Sequence, residues 1–320
     1  MGRTASTLLS VGGYLFLVAL GAVLGSRRAV RERRLPWLAG TQTAVLLAII
    51  LALGVQLGAN DEVAGAAGAI GFTALLVAVL SMCGSLLCVF LLRRFLLRLD
   101  RFARAPEEAA NPDQTAGGRA DNRLTWWISA AVILGFILGR RLLSQTAAEQ
   151  CGRVVTLGLD VMLFLVGLDL GRQGEAIRSL RAAGWKPLLV PLGVIVGSLS
   201  FGALAALPVA FAARETTAAA AGMGWYSLAP TILAPWSLEL SAVAFLANVL
   251  RELLSILLVP IVARRIGYLE SISLAGATAM DTLLPVILKS TDRRMTVYAF
   301  ASGLVCSLLV PVLVPLMIGM

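Results

Sequence analysis

The sequence predicts an all-α, multi-pass membrane protein with about eight transmembrane helices, two re-entrant or discontinuous segments and an inverted internal repeat. Three observations predict this fold: the composition, the placement of the basic residues and a weak sequence repeat. Of the 320 residues, 58% are hydrophobic and only 14% are charged, whereas soluble domains carry about 25% charged residues. Apolar runs of 18 or more residues recur along the chain, and each is long enough to cross a bilayer.

Eight apolar runs are the expected spans. The first has no small-residue cleavage site before its basic flank, so we expect a retained span rather than a signal peptide. Two further apolar segments are interrupted by Gly, Pro and polar residues, which favours hairpins that enter and leave at one face. The spans are 6–25, 36–58, 64–92, 124–139, 154–170, 187–213, 238–262 and 296–318, and the interrupted segments are 216–236 and 270–288.

The basic residues orient these spans. The net charge is +9, but Lys and Arg cluster in the short connections, as the positive-inside rule predicts, so we expect no nucleic-acid partner. Five Arg between residues 27 and 34 place the first connection in the cytoplasm and both termini outside. Full crossing by the interrupted segments would move Arg264 and Arg265 outside, so the rule favours eight spans plus two hairpins.

The chain divides into two membrane halves, 1–98 and 124–320. Residues 99–123 are rich in Pro, Gly and Ala, which is typical of a flexible linker, here cytoplasmic. The chain has no His, and its four Cys show no metal-binding spacing. We therefore expect neither a metal nor another cofactor.

A weak internal repeat connects the two halves. Ala-Leu-Gly-Val-Gln-Leu-Gly at 52–58 recurs as Leu-Val-Gly-Leu-Asp-Leu-Gly at 165–171, and Gly-Ser-Arg-Arg at 25–28 recurs as Gly-Arg-Arg-Leu at 139–142. Three spans separate the copies, so their topologies are opposite. Inverted repeats around discontinuous helices are typical of secondary transporters. The alternative is chance similarity between Gly- and Leu-rich helices.

Several ionisable residues lie inside these apolar stretches, where one charge costs about 2.5–3.5 kcal/mol at the bilayer centre. Such residues normally face a wet cavity or a solute path, and the excess of acids predicts a positively charged cargo. Asp281 is the clearest, because Thr278 and Thr282 would share its helical face and suit an ammonium group or a coupling ion. The five residues are Asp160, Asp169, Arg251, Glu252 and Asp281.

Two more polar motifs lie in the C-terminal half. In 222–230 the Gly residues and Pro230 break a helix, and unwound backbone at membrane depth is tolerated where it lines a cavity. We expect Tyr226 and Ser227 at a site, and Trp225 ranks lower. The alternative for the two aromatic residues is an interfacial belt.

In the third motif, Asn248, Arg251 and Glu252 are three and four residues apart and would share one helical face. Three roles stay open at this point: a buried ion-pair lock, a pair between Arg251 and Asp281, and a guanidinium that binds a substrate carboxylate.

Taken in order, these motifs resemble the bacterial lysine exporter family (LysO type). Gly-Trp-Tyr-Ser at 224–227, Arg-Glu at 251–252 and Gly-Ala-Thr-Ala-Met-Asp at 276–281 carry the resemblance. The likeness is strongest over 222–318 and weaker over 36–98 and 154–200.

The resemblance implies an inner-membrane exporter of L-lysine with eight spans and both termini outside. It also implies a functional pair of intramembrane acids, one in each half. The second falls on Asp281 and the first on Asp61, with Asn60 or Glu62 as the alternatives if the alignment slips. No role transfers to Asp160, which ranks lower together with Asp169.

Lysine chemistry agrees with these acids. Asp61 and Asp281 could neutralise its two ammonium groups, while Arg251 or a half-helix N-terminus could hold its carboxylate. Desolvation favours the neutral form of a carboxyl group, so we expect proton antiport, with Na⁺ as the alternative coupling ion. Apart from L-lysine and the bilayer no partner is implied, and the oligomeric state and the transport of ornithine or arginine stay open.

An intramembrane aspartyl protease would need a context such as Gly-x-Gly-Asp, which is absent, and a zinc protease of the HExxH type needs His. We therefore expect no enzyme. A cation/proton (Na⁺/H⁺) antiporter of related architecture is the alternative, and transport of lysine against Na⁺ by the purified protein would separate the two.

Overall fold

The structure is a computed structural model that describes residues 2–27, 30, 35–59, 66–97, 122–141, 145–172 and 174–319. These residues form helices joined by turns. A π-helical stretch, Arg93–Leu97, continues α3, and short 3₁₀ turns cover Lys186–Leu188, Gly276–Met280 and Arg293–Met295. The α-helices are α1 (Gly2–Ser26), α2 (Pro36–Ala59), α3 (Ala67–Leu92), α4 (Asn122–Arg141), α5 (Gln145–Arg172), α6 (Gly174–Ala183), α7 (Leu189–Leu204), α8 (Ala213–Ala220), α9 (Leu228–Leu233), α10 (Leu238–Arg265), α11 (Tyr268–Ala275), α12 (Leu284–Ser290) and α13 (Thr296–Gly319).

Six helical stretches of the described chain are long and apolar enough to cross a membrane, so this is a multi-pass membrane protein. The other two predicted spans correspond to α1, in which a shorter apolar stretch, Gly12–Ser26, is found among the described residues, and to α4. The six stretches are Gly40–Ala59, Gly68–Phe95, Gln150–Arg172, Lys186–Leu204, Leu238–Arg265 and Arg293–Gly319.

The predicted span 187–213 is wrong at its C-terminal end. Helix α7 stops at Leu204, and residues 205–212 are non-helical. Pro208 explains the stop, because it has no backbone N–H and its ring disfavours a helical conformation in the residue before it. The two interrupted segments are each split into short helices, as α8 with α9 and as α11 with α12. We call 213–233 the first broken segment and 268–290 the second.

The helices pack in two groups. In the first group, α1 lies along α5, α2 lies along α4, and α2 also contacts α5. In the second group, α3 packs on α7 and α10, and α13 packs among α7, α8 and the broken segments. The packing groups therefore do not follow the two halves of the sequence. The predicted linker, 99–123, lies almost entirely outside the described residues.

Glycine pairs bring the helices of the first group close together. A Cβ on Gly25 would overlap the backbone carbonyl of Leu168, and a Cβ on Gly139 would overlap that of Val55. Small residues four positions apart allow such backbone approach in membrane helices. The α1–α5 and α4–α2 contacts thus share the same close approach of helix backbones at glycine pairs. The pairs are Gly21 and Gly25, Gly54 and Gly58, Gly135 and Gly139, and Gly167 and Gly171.

Contacts along the helices show which way α7 runs. A Cβ on Gly193 would meet Val89 near the end of α3, whereas Gly197 lies against Gly84, further toward the start of α3. Helix α7 is therefore antiparallel to α3. Its C-terminus lies at the end of the bundle where α3 begins.

Helix α10 is antiparallel to α2 by the same reasoning. Ser241 shares a small cleft with Gly54 and Leu57 in the last turns of α2, whereas Phe245 packs on Leu46, further back along α2. The C-terminus of α2 and the N-terminus of α3 are joined by a short connection. The end of α7 and the start of α10 therefore lie at the same end of the bundle, so the first broken segment leaves and returns there.

The second broken segment leaves and returns at the opposite end. Glu270, in the first turn of α11, forms a buried salt bridge with Arg93 at the C-terminal end of α3. Asp292, just after α12, lies close enough to Tyr268 for its negative charge to act on the Tyr268 hydroxyl. The two broken segments meet inside the bundle, where the Ala277 N–H donates a hydrogen bond to the Met223 carbonyl at 2.9 Å.

Candidate functional site

A cavity lies between the two helix groups, beside the meeting point of the broken segments. It consists of two adjoining chambers of about 230 and 240 Å³. Both chambers are lined by Gln42 of α2, Met162 of α5, Trp225, Thr278 and Asp281. Each helix group therefore supplies one wall, and polar groups come from both walls.

Asp281 owes its position to the break in the second segment. The 3₁₀ turn Gly276–Met280 ends at Asp281, whose backbone leaves the helical region (φ −128°, ψ −95°). Its side chain is exposed to the cavity, and its Oδ1 accepts hydrogen bonds from the Thr282 N–H at 2.6 Å and the Thr282 hydroxyl at 3.3 Å. Thr278 lies nearby, and its hydroxyl donates to the Ala275 carbonyl at 2.9 Å.

The predicted helical face of Thr278, Asp281 and Thr282 is wrong in its local structure, because the segment is a 3₁₀ turn followed by a bend. Glycine at 276 and Pro285 prevent a continuous α-helix here. The structure nevertheless brings all three side chains to one wall, since each lines the second chamber.

Glu252 places a second carboxylate beside this wall, although it lines neither chamber. It is partly buried on α10, within hydrogen-bonding reach of Thr282, and its charge acts on Asp281. Tyr226 lies near both Glu252 and Asp281. The carboxylates of Glu252 and Asp281 therefore both lie beside Thr282 and near the Tyr226 phenol.

The opposite wall carries a third carboxylate, Asp169 of α5. It lines the first chamber together with Met162, and its charge reaches Asp281. Asp160 precedes Asp169 by two and a half helical turns, so it points away from this face. It lies beside Tyr14 of α1 and lines neither chamber.

Asp169 and Asp281 line the cavity from opposite walls, and Glu252 lies beside Thr282 without lining either chamber, so the three carboxylates do not converge on one point. Among the described residues, no group of three His, Cys, Asp or Glu is close enough to hold a metal ion. The described residues that line the two chambers include no Lys or Arg. A field of separated negative charges suits an organic cation with more than one positive group.

The motif around the first break contributes the remaining polar wall. Trp225 lines both chambers, while Tyr226 and Ser227 line the second. These aromatic residues lie at the break inside the bundle, beside the second broken segment. Their position differs from the interfacial belt that was the alternative.

Asn248 and Arg251 do not line either chamber. The Asn248 side chain accepts a hydrogen bond from the Gly224 N–H at 2.7 Å and donates to the Ala219 carbonyl at 3.1 Å. Arg251 is only 1% exposed, and its hydrogen bonds go to neutral oxygens. Arg251 therefore pairs with neither Glu252 nor Asp281, and it is enclosed away from any bound solute.

Asp61, the predicted acid of the N-terminal half, lies outside the described residues. Sequence reasoning missed Gln42, Thr43, Met162 and Ser307, which also line the cavity. The polar run Thr41-Gln42-Thr43 inside a predicted span was a usable signal. Met162 and Ser307 gave none, because one Met or Ser in an apolar helix is ordinary.

Comparison with known proteins adds to this geometry. The sequence model of a family described as Lysine exporter LysO matches residues 129–318. A protein named Lysine exporter LysO from Escherichia coli (strain K12) is 30% identical over 188 residues, which cover 58% of this chain and 62% of that protein. A protein named Putative lysine exporter from Haemophilus influenzae (strain ATCC 51907 / DSM 11121 / KW20 / Rd) is 30% identical over 191 residues, 58% of this chain and 93% of that protein. No solved structure matches significantly.

Proposed function

This chain belongs to the lysine exporter LysO family, and from that premise we propose that it is a secondary-active exporter of L-lysine. The observation that carries the proposal is the cavity with acids on both walls and no basic residue among its described lining. Lysine presents two ammonium groups about one extended side chain apart, which matches separated carboxylates better than a single chelating cluster. A transporter, rather than an enzyme, fits this arrangement.

We propose that Asp281 and Glu252 receive one ammonium group of lysine and that Asp169 receives the other. Trp225 and Tyr226 offer aromatic faces to a cation, and Met162 offers an apolar surface to the methylene chain. The lysine carboxylate would rest on neutral donors such as Gln42, Ser227 and the threonine hydroxyls. Asp61 stays a proposed partner from the N-terminal half, on the resemblance alone.

Proton antiport is the proposed coupling. When lysine leaves, Glu252 and Asp281 remain close to one another without a counter-charge in a site of low dielectric. One of the two carboxylates then takes up a proton from the receiving side, which removes that repulsion. The protonated, empty site can return to the side from which lysine is exported. Close basic analogues such as ornithine would bind the same carboxylates through a shorter side chain.

We further propose eight spans plus two re-entrant broken segments, in the bacterial inner membrane, with both termini outside. Helix α7 is antiparallel to α3 and α10 is antiparallel to α2, which supports entry of the first broken segment from one face. The Arg93–Glu270 pair supports entry of the second broken segment from the opposite face. We also propose that α1–α2 and α4–α5 are inverted copies in the two halves, 1–98 and 124–320, joined by 99–123. The matched glycine pairs support this repeat.

The test of this function is lysine counterflow. Purified protein in liposomes loaded with unlabelled lysine should accumulate radiolabelled lysine. A pH gradient, alkaline or acid inside, should change the rate of lysine accumulation, whereas an Na⁺ gradient should not. If the vesicles instead move labelled Na⁺ against protons and ignore lysine, the cation/proton antiporter is the function.

Asp169→Asn is expected to raise the KM for lysine by about 10- to 100-fold, because a charge-assisted hydrogen bond contributes roughly 1.5–3 kcal/mol. The matched control is Asp160→Asn, which makes the same chemical change on the opposite face of α5. Concentration dependence of counterflow measures both. Equal KM values for the two variants would remove Asp169 from the site.

A further inference from the structure

Arg251 is a buried cation, and its hydrogen bonds within the described part of the chain all go to neutral oxygens. Its Nε donates to the Leu274 carbonyl at 3.0 Å, and its Nη2 donates to the Ser273 carbonyl at 3.2 Å. The other two hydrogen bonds go to the hydroxyls of Ser198 at 2.8 Å and Ser85 at 3.1 Å. Among the residues that the structure describes, no carboxylate pairs with it. A buried charge without such a partner is costly unless something else compensates it.

The compensation comes from the end of a half-helix. Ser273 and Leu274 lie in the last turn of α11, whose final carbonyls have no helical N–H partners and carry the negative end of the helix dipole. A Cβ on Gly276 would lie 3.3 Å from the Arg251 Nη2. The guanidinium therefore lies directly beside the break of the second broken segment.

The two serines complete the cage around the guanidinium. Ser85 donates its own hydroxyl proton to the Ser81 carbonyl at 2.8 Å, so its oxygen presents a lone pair to Arg251. Ser85 and Ser198 are also 2.9 Å apart. Since Ser85 is on α3 and Ser198 on α7, Arg251 of α10 ties three long helices to the half-helix α11.

The first broken segment has a neutral counterpart. Asn248, one turn before Arg251 on α10, donates to the Ala219 carbonyl near the end of α8 and to its own-helix Ala244 carbonyl. Each half-helix that ends at the crossing is therefore capped by an α10 side chain. Only the cap of α11 is charged.

Unwound carbonyls and half-helix C-termini at a break are the oxygens that coordinate alkali-metal ions in other transporters with broken helices. We propose that Arg251 is a built-in cation, whose guanidinium occupies the position of a coordinated alkali-metal ion at the crossing of the two broken segments. The crossing then needs no bound Na⁺, and ion coupling is left to the carboxylates of the cavity. The inference concerns the crossing alone and holds whatever cation the cavity carries.

The first test compares melting temperatures in detergent with Na⁺ and with Na⁺ replaced by N-methyl-D-glucamine at constant ionic strength. It uses Asp281→Asn beside the wild type, because this variant removes a cavity carboxylate and leaves the crossing intact. The melting temperature of Asp281→Asn should not change, and one that rises specifically with Na⁺ in both proteins would overturn the proposal.

The second test removes the guanidinium. Arg251→Ala should lose at least about tenfold in counterflow rate, and millimolar guanidinium should restore part of the rate and of the melting temperature. Arg265→Ala, at the exposed end of the same helix, is the control and should show neither loss nor rescue. Wild-type rates in Arg251→Ala, or a loss that no added cation restores, would contradict a built-in cation.

If Arg251→Ala yields no folded protein, two variants with longer side chains at position 251 are compared instead. Arg251→Lys keeps a cation and should retain folded protein, whereas Arg251→Met keeps similar bulk without charge and should not. Equal yields and melting temperatures for these two variants would show that only bulk matters there, which would overturn the proposal.

Discussion

Asp281→Asn is expected to lower the lysine counterflow rate by about 10²- to 10⁴-fold. The amide keeps the shape of the side chain but removes the charge that would balance an ammonium group, and a partly desolvated cation left without its partner costs roughly 3–5 kcal/mol. The Thr282 N–H and hydroxyl that now donate to Asp281 Oδ1 can still donate to an amide oxygen. The fold should therefore survive the change.

Two control variants show whether Asp281→Asn lowers the flux by removing a contact to the cargo or by disturbing the fold. Asp292→Asn removes a carboxylate at an exposed position after the same broken segment and should keep wild-type flux. Asp281→Glu keeps the charge one methylene further out and should retain part of the flux. A rate for Asp281→Asn equal to that of the wild type would show that this carboxylate does not contact the cargo.

Gly276→Ala is expected to cost about 2–6 kcal/mol of folding stability, the sum of a strained backbone and an overpacked contact. Gly276 has φ +60° and ψ −117°, a conformation that residues with a Cβ rarely adopt. An added Cβ would also overlap the Met223 carbonyl, which accepts the hydrogen bond between the two broken segments. Size-exclusion profile and melting temperature in detergent measure the loss.

Gly184→Ala is the matched control for the backbone contribution. Gly184 has φ +75°, and no atom lies within 4 Å of an added Cβ. The Gly184→Ala variant should therefore show the conformational cost of a Cβ at positive φ without the overlap, about 1–2 kcal/mol. Equal melting temperatures for the two variants would mean that the crossing tolerates a wider separation than the structure shows.

The sequence predicted the six membrane-spanning stretches and the breaks in the two interrupted segments. Apolar runs report burial in lipid or protein, and Gly and Pro report the breaks around Gly224 and Pro285, because both signals are local. The end of α7 was missed although Pro208 marks it, since the apolar run continues past the point where the helix stops.

The distribution of polar residues between cavity and scaffold could not be read from the sequence. Helix α5 is apolar around most of its surface, so its pattern does not say that Asp169 faces the cavity while Asp160 faces α1. Arg251 and Glu252 are adjacent in sequence, yet one is enclosed by α3, α7 and α11 and the other reaches Thr282. Those assignments depend on which helices become neighbours, and long-range packing decides that.

The proposed function requires the cavity to recognise lysine through its two separated ammonium groups. Equilibrium binding of lysine and norleucine to the purified wild-type protein measures this recognition, because norleucine lacks only the side-chain ammonium. We expect lysine to bind and norleucine to bind at least about tenfold more weakly, because a carboxylate then loses a charged partner. Equal affinity for the two ligands, or no binding of lysine, would contradict it.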